Sequence, residues 1–97
     1  MKHGFIDIPT LYYFKEKNLF TGSCKENFNF RIFAKKLEDD STELRCIVWE
    51  GKENFSLIDP SDYKLEFREE MSEEGVAAIA NKIVEAATAY EKNGYKF

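Results

Sequence analysis

Apolar and polar residues alternate through the middle of the chain and recur at helical spacing near its end. The clearest alternation runs from Asn27 to Leu37. There Phe28, Phe30, Ile32 and Ala34 interleave with Asn29, Arg31, Phe33 and Lys35. A period of two sends these sets to opposite faces of a β-strand. Glu43 to Trp49 repeats the pattern, with Leu44, Cys46 and Val48 on one face and Arg45, Ile47 and Trp49 on the other. The acidic segment Glu38-Asp39-Asp40-Ser41-Thr42 between them is short and polar, which predicts an antiparallel hairpin. Tyr63, Leu65 and Phe67 alternate with Lys64, Glu66 and Arg68, predicting a further strand. Leu11 to Glu16 is rich in aromatic residues and lacks breakers, so it also reads as a strand. Lys17 to Ser23 reads as a turn in which Gly22 takes a positive φ. Phe55 to Ile58 reads as a short strand or a packed loop, followed by a turn at Asp59-Pro60-Ser61-Asp62.

The period then changes. Val76, Ile79, Ala80, Ile83, Ala87 and Tyr90 form one apolar stripe of a helix. Ser72 stands where an N-cap belongs, Glu73 and Glu74 occupy the positive first turn, and Asn93-Gly94 forms a stop. The fold class predicted is α+β: an antiparallel four- to five-stranded sheet packed against one C-terminal helix, in the order β-β-β-(β)-β-α. Residues 1–97 read as a single domain, with a lead-in at 1–10, the sheet over 11–70 and the helix over 72–93.

Composition supports a folded domain. Hydrophobic residues are 43% of the 97 positions and charged residues 33%, with nine Phe to fill a small core. The net charge of -4 argues against a general affinity for nucleic acid or anionic membranes. The charge is nevertheless divided. Thr10 to Lys36 carries six basic and two acidic residues, whereas Leu37 to Glu74 carries four basic and thirteen acidic ones.

Chemistry-bearing groups are sparse. One histidine, His3, and two cysteines, Cys24 and Cys46, are too few for a zinc site. The cysteines are expected to be free thiols, Cys46 in the core and Cys24 in a loop. Cys24 has only Lys25 beside it, too weak an influence to make it a nucleophile, and the adjacent acidic pairs read as solvated surface. No catalytic residue, cofactor or metal is expected. No apolar run reaches the length of a membrane span, and the N-terminus has no signal-type apolar stretch, so a cytoplasmic location is expected.

The feature with most functional content is the sheet face opposite the one that the helix covers. It would carry Arg31, Phe33, Lys35, Arg45, Ile47 and Trp49. Aromatic and cationic side chains together suit a docked peptide or stacked bases. The alternatives are that residues 54–62 fold over this face and bury Trp49, or that the helix packs on it.

Two resemblances attach to these residues. Phe20-Thr21-Gly22-Ser23, Phe28-Asn29-Phe30-Arg31-Ile32, Leu44-Arg45-Cys46-Ile47-Val48-Trp49-Glu50-Gly51 and Ser72-Glu73-Glu74-Gly75 resemble small uncharacterised bacterial proteins from Gram-positive gut species, some linked to mobile elements. That resemblance implies no catalytic residues. The order of strands followed by one helix also resembles the PC4-like single-stranded DNA-binding proteins, whose curved sheets bind a strand as dimers; the acidic balance departs from them. The expectation is therefore a non-catalytic binding domain that uses the aromatic and basic face for a protein partner or a homodimer. Single-stranded nucleic acid is the alternative ligand.

Overall fold

The computed structural model describes residues 2–52 and 57–97, with side chains from residue 4 onward. The sheet is four-stranded and antiparallel, with β3 (Phe20–Cys24), β4 (Phe28–Lys36), β5 (Thr42–Glu50) and β6 (Leu65–Glu70) in chain order across it. A small hairpin of β1 (Lys2–His3) and β2 (Ile6–Asp7) precedes it, followed by a one-turn helix, α1 (Leu11–Lys15). The long helix α2 (Glu73–Lys92) closes the chain. The fold is thus a small α+β fold, as the alternation and the helical stripe predict.

The predicted inner faces form the core. Phe28, Phe30 and Ile32 of β4 and Leu44, Cys46 and Val48 of β5 are buried against Val76, Ile79, Ala80, Ile83, Ala87 and Tyr90 of α2. The register explains why. Phe30 pairs with Val48, Ile32 with Cys46 and Ala34 with Leu44, so each ladder position presents apolar groups to the helix.

Several local expectations fail. Leu11 to Glu16 is helical rather than extended. Thr10 has extended backbone and the turn closes with the Tyr13 N–H on the Thr10 carbonyl. The reward is burial of Phe14, which is completely inaccessible, while Tyr12 faces out; burial has outweighed the aromatic preference for strands. The lead-in is structured as a hairpin, because Ile6 and Ile8 join the core. Gly22 has no positive φ; it lies within β3 opposite Phe30, where a Cβ would come within 2.6 Å of the Phe30 ring. Its missing side chain makes room for that ring. The chain reverses later, at Lys25-Glu26-Asn27, all three with left-handed backbone (φ 46°, 54° and 68°). Such backbone costs a residue with a side chain on the order of 1 kcal/mol. It is held by the Tyr90 hydroxyl, which donates to the Glu26 carbonyl at 2.6 Å, and by the Gly51 N–H, which donates to the Asn27 carbonyl at 3.0 Å. The last predicted strand lies at Leu65–Glu70 rather than starting at Tyr63, with Leu65 and Phe67 on the inner face. The expected strand or loop at 55–58 lies partly outside the described residues. Leu57 and Ile58 are not in a strand.

Helix α2 is bounded as predicted. The Gly75 N–H donates to Ser72 Oγ at 3.0 Å. At the other end, the Tyr95 N–H bonds the Tyr90 carbonyl and the Gly94 N–H the Glu91 carbonyl, a Schellman termination with Tyr90 and Tyr95 in ring contact. The joint from β6 to α2 is very tight. A Cβ on Gly75 would overlap the Glu70 carbonyl oxygen, which already accepts the Ser72 N–H at 2.9 Å.

Two substitutions test this packing. Ile83→Ala removes a completely buried side chain and should cost about 2–4 kcal/mol in urea denaturation. Gly75→Ala favours the helix by about 1 kcal/mol on intrinsic propensity. It should nevertheless destabilise by roughly 1–3 kcal/mol, because backbone must move to admit the methyl group. A Gly75→Ala protein as stable as wild type would show that the joint is looser than described.

Candidate functional site

The register brings the six predicted face residues together on the side of the sheet away from α2. Arg31 pairs with Ile47, Phe33 with Arg45 and Lys35 with Glu43, while Trp49 lies opposite Asn29. Their accessibility differs. Trp49 is only 2% exposed and Ile47 only 6%, so neither is available to a ligand. Arg31, Phe33 and Arg45 are half-buried and Lys35 is exposed. The alternative that α2 packs on this face is excluded, since α2 covers the opposite one. Ile58, in the segment expected to fold over Trp49, is half-buried; residues 53–56 lie outside the described residues.

The cations of this face are largely neutralised. Arg45 and Arg68 are directly opposed on β5 and β6, an arrangement that is repulsive in isolation. Glu43 resolves it. Its carboxylate accepts from Arg45 Nε at 2.7 Å and from Arg68 Nε at 3.0 Å. Arg45 also donates to Glu66 at 3.4 Å. These bonds hold the Glu43 carboxyl below the usual carboxylate range, Arg45 contributing most and Arg68 next. Arg31 Nε donates to Thr21 Oγ1 at 2.9 Å.

The cysteines and Tyr90 are the other chemistry-bearing groups. Cys24 and Cys46 are unbonded thiols, and burial pushes both upward, Cys46 strongly. Tyr90 is pushed up to about 12, first by burial and then by the Glu50 carboxylate, an oxygen of which lies 3.0 Å from its hydroxyl. Among the described residues, no group of three or more His, Cys, Asp or Glu side chains is placed to hold a metal ion. No helix among them is long and apolar enough to cross a membrane.

A second surface was not singled out by the sequence pattern. Strand β6 has β5 on one side and no strand on the other among the described residues. Beside that free edge runs an open groove of about 570 Å³ between β6 and α2, lined by Leu65, Phe67, Lys82, Glu85 and Ala86. It shares Leu65 and Ala86 with a further hollow of about 340 Å³ toward Tyr90 and Phe97. Lys82 joins the two walls by an ion pair with Glu69, and its ammonium stands 5.8 Å from the centre of the Phe67 ring. Alternation marks Leu65 and Phe67 as inward-facing, but nothing in the pattern places their strand at the end of the sheet.

Comparison with family models, with characterised proteins and with solved structures finds no match to this chain.

The electrostatics of Glu43 give a pH prediction. A carboxyl whose folded pKa is lowered stabilises the fold above its ordinary value, about 4.3 for Glu. That contribution is lost as pH falls through the lowered value. Asp39 and Asp59, held by Ser41 and Ser61, shift in the same sense. Glu43→Gln should therefore lower the urea midpoint near neutrality, and the gap from wild type should narrow as the pH is taken into the acid range below the ordinary Glu value. An equal gap in both pH ranges would show that the carboxylate charge is not what stabilises the pair of arginines.

Proposed function

We propose that this is a non-catalytic protein-binding domain. Its binding surface starts on the accessible part of the outer face, at Phe33, Lys35 and Arg45, and continues around the β6 edge into the groove beside α2. The observation that carries the reading is the free edge of β6 lying next to half-buried Leu65 and Phe67. An unpaired edge offers backbone donors and acceptors to an added strand. The neighbouring groove supplies apolar surface for alternate side chains of that strand, which is what fixes specificity in such recognition.

Protein is favoured over single-stranded nucleic acid by two features. Stacking on bases needs exposed aromatic faces, and Trp49 is buried. Phosphate binding needs cations that can exchange counterions, and Arg45 and Arg68 already share the Glu43 carboxylate.

A peptide-display selection on the chain immobilised sparsely, so that copies cannot pair, should enrich extended sequences in which apolar and charged residues alternate. Their footprint in amide chemical shifts should fall on β6 and on Lys82 to Ala86. A labelled single-stranded oligonucleotide should show no change in anisotropy at low salt. Tight, salt-sensitive oligonucleotide binding with no peptide enriched would overturn the proposal in favour of nucleic acid.

A further inference from the structure

We infer that the strand which completes the β6 edge is β6 of a second copy of this chain, paired antiparallel about a two-fold axis at Phe67. The inference rests on the protein-binding reading above and names its partner. The starting point is a mismatch inside the sheet. On the outer face, β5 and β6 oppose like charges twice, Glu43 against Glu70 and Arg45 against Arg68. Like charges at directly opposed positions destabilise a sheet. Glu43 relieves the arginines, yet the outer edge still presents Glu66, Arg68 and Glu70 of β6, with exposed Lys64 immediately before the strand.

That run is self-complementary in one antiparallel register. With Phe67 facing Phe67 of the partner subunit, Glu66 meets Arg68 of the partner subunit and Lys64 meets Glu70 of the partner subunit. Two-fold symmetry repeats both pairs, so Glu66 and Arg68 gain opposite neighbours within the strand and Glu70 gains one in Lys64 just before it. The Glu43, Arg45, Arg68 and Glu66 network then runs without a break from one subunit to the next. The neighbouring registers fail. Shifted by one pleat in one direction, Glu66 faces Glu66 and Lys64 faces Arg68. Shifted the other way, Arg68 faces Arg68 and Glu66 faces Glu70. A sheet face with such a pattern specifies its register.

The inner face fits the same register. The two Phe67 rings meet at the axis beneath the two copies of α2, closing the groove that leaves them half-buried. Leu65 lies beside Glu69 of the partner subunit, whose carboxylate is already held by its own Lys82 in the way seen here. Ala86 lines the groove wall and Ala89 its continuation, so small side chains border the line where the second helix would approach. The other sheet edge offers no such complement, since β3 is short and carries Gly22 at its centre.

The experiment combines mass in solution with two sets of variants. Light scattering should give twice 11.4 kDa. Mild oxidation of Phe67→Cys should link the chains covalently, because directly opposed strand residues lie within disulfide reach; wild type and Leu65→Cys should stay unlinked. Glu70→Lys should weaken the dimer by about tenfold through two repulsive pairs, and Lys64→Glu combined with Glu70→Lys should restore it. A dimer whose Phe67→Cys form does not cross-link overturns the β6 pairing while leaving protein binding through another surface. A monomer at all concentrations also overturns the pairing. The broader reading then fails only if the display selection enriches no peptide.

Discussion

The absence of a side chain at Gly75 decides where the long helix lies. The first turn of α2 sits directly on the last carbonyl of β6, closer than any Cβ would allow. Ser72 caps the helix within that joint, so capping and the close approach are one local event. From this pivot α2 runs back above the sheet, and Lys82 reaches Glu69 across the seam. The helix therefore lies close to the β6 end of the sheet. The core, the groove beside Leu65 and Phe67, and the neighbouring free edge all follow from that placement.

The same sheet separates two kinds of surface. Its inner face is apolar at the centre, where α2 covers it, with Glu69 at the margin held by Lys82. Its outer face mixes buried Ile47 and Trp49 with an ion-pair network centred on Glu43. Ion pairs near a protein surface are each worth little, about 0–1 kcal/mol. Their importance here is in cancelling charge and aligning strands that would otherwise oppose arginine to arginine. A face already balanced in this way has little attraction left for a polyanion. An edge with alternating signs, by contrast, favours another strand with the reverse order of charges.

Sequence pattern and structure agree where a single physical term dominates. The α2 stripe, its Ser72 cap and the β4–β5 hairpin are legible because period and chemistry point the same way. Leu11 to Lys15 is not legible. Five residues carry too little periodicity, and burying Phe14 outweighs aromatic strand preference. Gly22 misleads because a glycine signals a turn as readily as it signals room for a neighbouring ring. For the candidate surface, alternation assigns Arg31, Phe33, Lys35, Arg45, Ile47 and Trp49 to one face correctly. It cannot show that Trp49 and Ile47 are covered or that Glu43 binds both arginines, because those facts depend on contacts between distant segments. The edge position of β6 is illegible for the same reason.

The central claim is that β6 is an open edge that another strand completes. Residue-resolved hydrogen exchange at two protein concentrations tests it most directly. In dilute solution the amides of β6 that point away from β5 should exchange quickly, while those of β4 and β5 remain protected. In concentrated solution the same β6 amides should gain protection and the amides of β3 should not. Full protection of β6 in dilute solution, or added protection at β3 instead, would contradict the account.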